Sequence, residues 1–216
     1  MERSFFCKVT LIGCALFMSC NGQTNDRPVQ KIVGGGCDGC ELMYIGMPQK
    51  INAVDTSPGW NEEGQQLMVT GTVFQQDGRT PAKDVVIYYW HTDNDGYYSP
   101  APGMDERVKR HGHIRGWVKT GPDGKYAIKT IRPAPYPKDM LPAHIHLSVK
   151  EPAVANEYYT DEINFEGDTL LVAHFRKYPP ENRGGSGVVK VQLKDGRQVA
   201  EHNIVLGLNI PYYPKK

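Results

Sequence analysis

From residue 67 onward the chain is a succession of short β-prone runs, each closed by a turn signal, and that pattern leaves room for little except an all-β fold. Residues 67–74, 84–90, 116–120, 125–129, 143–149, 187–193 and 201–206 are rich in β-branched and aromatic side chains. Asp77-Gly78, Asp95-Gly96, Asp123-Gly124 and Asp195-Gly196 mark turns between them. Only residues 168–175 hint at a short helix. Short strands at this spacing predict a β-sandwich of mostly antiparallel strands, with long loops left over to carry a site.

The remaining chain-level features narrow the partners. The 216 residues suffice for one domain with a real core, and 25 basic against 24 acidic residues give a net charge of +1. No basic excess points to nucleic acid, so a small molecule is the expected partner. At the N-terminus, Arg3 and Lys8 flank an apolar run over residues 9–18, followed by Ser19-Cys20 and a polar stretch. The run is too short to span a bilayer and reads as a secretory signal. The small residue before Cys20 suggests a lipoprotein signal with Cys20 lipidated; plain secretion is the alternative. The expected organisation is a signal peptide over 1–19, a polar tether over 20–35 and one β-sandwich domain over 36–216. The protein is then exported, and any membrane attachment runs through the N-terminal lipid. Cys37 and Cys40 read as a local disulfide, with a redox pair or half a zinc site as alternatives; no second Cys-x-x-Cys completes a zinc site.

The sharpest chemical feature is His144-Ile145-His146. In a strand, residues i and i+2 face one side and rise about 6.5 Å along the chain. Both imidazoles can therefore serve one metal while Ile145 and Leu147 face a core. Completion by a carboxylate would suggest Fe(II), and Glu151 superficially allows it. The glycines expected of a cupin, however, are replaced by Lys138 and Tyr158. Tyrosine completes the set better. Tyr98 follows the Asp95-Gly96 turn, and Tyr136 lies between Pro135 and Pro137, whose fixed φ holds a loop in place. A phenolate is a hard anionic donor that favours Fe(III). Taken singly, each tyrosine is more simply a packing residue.

Four segments occur in order. They are residues 85–99, residues 120–137, Pro142-Ala143-His144-Ile145-His146, and Ile163-Asn164-Phe165-Glu166-Gly167-Asp168. In this order they resemble the intradiol ring-cleavage dioxygenases, the family of catechol 1,2- and protocatechuate 3,4-dioxygenases, over roughly residues 65–175. The resemblance implies a β-sandwich holding Fe(3+) through Tyr98, Tyr136, His144 and His146; the Gly-x-Tyr spacing after Gly96 selects Tyr98 over Tyr97. It also implies a small aromatic diol and O2 as reactants and a cis,cis-muconate-type diacid as product. Tyr136 would act as ligand and then as general base, with no organic cofactor. Members are often oligomers, which leaves a homo-oligomer open.

Two positions depart from the family pattern. Leu141 stands where most members carry an arginine three residues before the first ligand histidine, and Glu162 stands where a glutamine is common. Both changes reduce support for anionic intermediates. Arg132 or Arg115 would then substitute, or the enzyme is slow, takes an unusual substrate, or binds metal without turnover. His111-Gly112-His113 reads as a basic loop near the site mouth, with a substrate-carboxylate clamp as the alternative. Trp90 and Trp117 read as core residues. A non-enzymatic reading also stands: Thr70-Gly71-Thr72-Val73 and Asp123-Gly124-Lys125-Tyr126 resemble transthyretin-like binding modules of exported proteins.

Overall fold

The computed structural model describes residues 31–139 and 141–215. The segment read as a signal peptide, Cys20 and most of the segment read as a tether therefore lie outside the described residues. Twelve strands form among the described residues: β1 (Val54–Thr56), β2 (Gln66–Phe74), β3 (Val86–Trp90), β4 (Arg115–Lys119), β5 (Lys125–Ile131), β6 (His144–Lys150), β7 (Tyr158–Tyr159), β8 (Ile163–Phe165), β9 (Val188–Val189), β10 (Gln192–Lys194), β11 (Arg197–Glu201) and β12 (Ile204–Val205). A single α-helix, α1 (Leu171–Lys177), and three short 3-10 turns accompany them among the described residues.

The strands make two six-stranded sheets. One runs β1-β5-β2-β11-β10 with β12 also on β2; the other runs β4-β3-β6-β8-β9 with β7 also on β6. Both are mixed, although the long pairings β2–β5, β3–β4 and β3–β6 are antiparallel. The core lies between the sheets. Leu67, Val69 and Ile128 from the first sheet meet Ile87, Tyr89, Ile145, Leu147 and Phe165 from the second. The strict in–out alternation of β2 shows why period-2 patterning fixed this strand, since a one-residue slip would expose its whole core face.

One boundary differs from expectation. The Gly-rich end of the segment read as a tether is docked. Gly34 donates its N–H to Pro211 O at 2.7 Å, Val33 packs against the core, and Asn156 Nδ2 donates to Val33 O. The compact unit thus begins at Lys31. Residues that follow, including Met43 at 0% exposure, cover the outer face of the second sheet beside Tyr88 and Trp90. Sequence polarity did not reveal this because a few backbone bonds and one or two apolar side chains suffice to dock a glycine-rich strap.

Candidate metal centre

β6 carries both histidines on one face. Ile145 and Leu147 are fully buried in the core, so His144 and His146 point to the outer side. In register, His146 pairs with Trp90 and His144 with Asn164. Two loops bring up the tyrosines. The first, after β3, is organised by Asp93: its carboxylate accepts from the N–H groups of Asp95 and Tyr97 and from Ser99 Oγ, at 2.5–3.0 Å. The second follows β5 and is tied to the first by Thr92 Oγ1 donating to Ala134 O and Ala134 N donating to Asp93 O. Gly96, at φ 84°, lets them touch: a Cβ there would lie 2.2 Å from Pro135 O.

Four donor atoms converge. Tyr98 Oη lies 2.6 Å from Tyr136 Oη and 2.8 Å from His146 Nε2; Tyr136 Oη lies 3.3 Å from His144 Nε2, and the two Nε2 atoms are 3.1 Å apart. The histidine protons are committed elsewhere. His144 Nδ1 donates to Pro142 O at 2.8 Å, and His146 Nδ1 faces the Glu162 carboxylate at 3.1 Å. Both Nε2 atoms are therefore bare lone pairs. Four close contacts then share only the two phenolic hydrogens, so lone pairs oppose lone pairs around the ring. A cation at its centre resolves this, and atoms about 2.0–2.1 Å from one ion sit about 3 Å apart at neighbouring positions. Two phenols and two imidazoles form a hard, partly anionic donor set that suits ferric iron. The residues present fit the metal the sequence called for.

The surroundings orient these donors. Burial pushes the Tyr98 and Tyr136 phenols up. Burial, and then the repulsion of His146, bring His144 down to about 4. For Glu162, burial works to raise the carboxyl but is outweighed by the hydrogen bond to His146 and the charges of both histidines, which hold it at about 2. Tyr159 Oη also donates to Glu162, at 2.5 Å. Glu162 lies within 4.8 Å of both histidines and could pass for a third ligand. It meets His146 at Nδ1, however, on the side of the ring away from Tyr98 and Tyr136. Its place is to fix the tautomer and angle of His146.

The remaining candidates separate. A cavity of about 450 Å³ opens beside the donors, lined by Trp90, Tyr98, Tyr136, His146, Tyr159 and Glu162. Arg115 and Arg132 are not in its lining, which corrects the expectation that either replaces the missing arginine. The Arg115 guanidinium lies 4.8 Å from the Trp117 ring centroid and donates to Ile45 O, and Arg132 lies 3.6 Å over Phe165. Flat cations on aromatic faces are held by that stacking. Leu141 is half-buried and also outside the cavity lining. Arg110, Arg183, His111 and residues Gly36–Asp38 complete the wall; the loop read as basic at the site mouth thus reaches the cavity through Arg110 and a buried His111, whereas Arg183 was not foreseen. Cys37 and Cys40 are disulfide-bonded. Glu151 is buried away from the histidines, accepting from Tyr158 and from Tyr213. Trp90 is not only a core residue: it stacks on His146 and lines the cavity. Its place opposite His146 in the register, one strand away, was the signal that could have found it.

Comparisons with known proteins identify the family and the fold. A family model described as Dioxygenase matches residues 43–184. The chain belongs to the intradiol ring-cleavage dioxygenase family. Among curated relatives, it is 29% identical over 165 residues to catechol 1,2-dioxygenase 1 of Acinetobacter lwoffii, covering 64% of this chain and 50% of that protein. It is 31% identical to a chlorocatechol 1,2-dioxygenase of Pseudomonas sp. strain P51, covering 59% of this chain and 57% of the relative. The chain thus spans about half the length of the curated relatives it matches. Among solved structures, the fold resembles the dioxygenase domain of a carbohydrate-binding fusion from Streptomyces sp. SirexAA-E, with TM-score 0.53 and 22% identity over 74% of this chain and 88% of that one. It also resembles a single-residue variant of catechol 1,2-dioxygenase of Acinetobacter radioresistens, with TM-score 0.58 and 19% identity over 79% and 61%. At these identities the structures speak for the β-sandwich.

Proposed function

We propose that the protein binds ferric iron through Tyr98, Tyr136, His144 and His146 and uses O2 to cleave a catechol-type ring between its hydroxylated carbons, giving a cis,cis-muconate-type diacid. The observation that carries this reading is the convergence of four donor atoms within 2.6–3.3 Å of their neighbours, with too few hydrogens to satisfy them. A bound ferric ion would supply Lewis acidity, drawing electron density from a chelated diol so that the ring itself becomes reactive toward O2.

The chain's own residues then do the rest. His144 and His146 are held by Pro142 O and Glu162 and stay fixed. Tyr136 makes the longest of the four contacts, 3.3 Å to His144, and stands between exposed Pro135 and Pro137 at the surface of its loop. It is the group able to swing aside and accept a proton from the incoming diol at its Oη. Trp90 and Tyr159 stand in the wall of the cavity, whose roughly 450 Å³ has room for a single flat aromatic ring. Export through the N-terminal signal, with a lipid at Cys20, is part of the same proposal and rests on the apolar run before that cysteine.

The test is the visible spectrum of the iron-loaded protein, before and after catechol is added without oxygen. A phenolate-to-iron charge-transfer band that moves to longer wavelength with catechol, followed by ring cleavage once oxygen enters, is the expected result. A colourless protein that takes up no iron leaves a binding module instead.

A further inference from the structure

His111 is 4% exposed and lines the cavity, yet neither the metal set nor the proton transfer uses it. Its ring lies flat on Trp90, with centroids 4.1 Å apart and planes 5° from parallel, and Trp90 stacks in turn on His146. The imidazole is thus fixed relative to the metal donors through two stacked rings.

The tautomer follows from the neighbours. Tyr88 is fully buried, and its Oη accepts from Arg115 Nη1 at 3.2 Å. Its own hydrogen needs an acceptor, and His111 Nδ1 lies 2.8 Å away. Nδ1 therefore accepts, and the ring hydrogen sits on Nε2. Nε2 has no hydrogen-bond partner among the described residues, and the ring that carries it lines the cavity. Gly39 keeps that atom clear: at φ 90°, a Cβ there would come within 3.0 Å of Nε2. Burial holds the imidazole at about 3, so the donor is neutral over the ordinary pH range. Arg183 lines the same cavity, giving Nε to Glu181 and Nη1 to Gly34 O, with Nη2 making no hydrogen bond to the described residues.

We propose that the His111 Nε2–H, with Arg183 in the same cavity, is the specificity-determining contact for the ring substituent. It selects diols whose substituent carries a hydrogen-bond-accepting oxygen, a carboxylate or a hydroxyl, over chlorinated or unsubstituted ones. This rests on the diol reading of the site. A fixed buried donor discriminates because an analogue without the acceptor oxygen leaves it unpaired, and on the order of ten- to a hundredfold in affinity is at stake.

The experiment titrates the charge-transfer band of the full iron-loaded chain, without oxygen, with catechol, 4-chlorocatechol, 3,4-dihydroxybenzoate and 1,2,4-trihydroxybenzene. Native protein should bind one or both of the last two at least about tenfold more tightly than the chlorinated diol. Preference for the carboxylate assigns Arg183 a direct share; preference for the triol assigns the contact to His111 alone. His111→Phe keeps a flat ring on Trp90 and removes the donor, and should lower affinity for the oxygenated diols at least tenfold more than for the other two. His111→Gln, which retains an N–H, should recover part of the loss and covers the case in which the phenylalanine variant fails to fold. No preference in native protein, or the same preference in both variants, overturns the inference. A native protein without the band, or with a band that catechol does not move, overturns the metal reading itself, and the two failures are thereby distinct.

Discussion

The phenols of Tyr98 and Tyr136 meet at 2.6 Å although 38 residues separate them, and the contact depends on Gly96. At φ 84°, Gly96 sits against Pro135 O and Pro137, the residues bracketing Tyr136. A side chain there would have to move the second loop by most of an ångström and would also bear the left-handed strain. Gly96→Ala should therefore part the two phenols while leaving the distant sheets intact. The expected outcome is at least about a tenfold loss of iron affinity with a melting temperature lowered by only a few degrees. Iron titration beside a thermal melt checks it; native affinity in the variant would show that the glycine does not set the contact.

Glu162 offers a second handle on the same centre. It touches His146 at Nδ1 and accepts from Tyr159, so removing it frees the ring that must present Nε2. Glu162→Ala should lower iron affinity about ten- to a hundredfold, with Glu162→Gln between it and the native protein because the amide oxygen still accepts from Nδ1–H. Equal affinities for all three proteins would place Glu162 outside the support of the centre.

These handles differ in how far the sequence disclosed them. His144 and His146 were legible because a strand's period of two decides which side chains share a face, and the buried Ile145 between them confirms that alternation. The same rule applied to Tyr88 and Trp90 would have put them on the outer face with the histidines, but two large aromatics in an apolar run look like core. Arg115 and Arg132 read as candidates to replace the missing arginine, whereas stacking on Trp117 and Phe165 takes them away. His111 was legible only as part of a basic loop near the site mouth, and Arg183 was hidden because it reaches the cavity from a distant segment. The short strands β1, β7 and β8 were also missed, having too few residues to show a period.

Acid should destabilise the fold through His202. This residue is buried, its Nδ1 lies 3.0 Å from Tyr126 Oη, and burial brings it down to about 4. The folded state thus keeps it neutral where the unfolded chain would protonate it, below its ordinary value of 6.5. Its contribution is complete above that value and is lost as the pH falls toward about 4, with a slope of roughly 1.4 kcal/mol per pH unit. His202→Gln should be less stable near neutrality but lose less stability on acidification. Denaturant melts at about pH 7 and about pH 5 measure the difference, and parallel slopes in the two proteins would remove His202 as the cause.

The Cys37–Cys40 bridge should matter more for binding than for folding. It closes a loop of three-residue separation, for which the chain-entropy account gives about 2 kcal/mol of stabilisation at most. The strap is also held beyond the bridge, since Met43 is fully buried, Met43 O accepts from Trp117 Nε1 at 2.8 Å, and Ile45 O accepts from Arg115. What the bridge fixes locally is the cavity wall: Cys37 and Asp38 line it, and Asp38 holds both terminal nitrogens of Arg110 at 2.9–3.2 Å. Replacing both cysteines by alanine frees that wall while Met43 stays anchored. The double variant should fold with a loss of no more than about 2 kcal/mol and retain the iron band, yet bind catechol several-fold more weakly in an oxygen-free titration. A variant that binds catechol as the native protein does would mean that Met43 and its neighbours position the wall without the bridge.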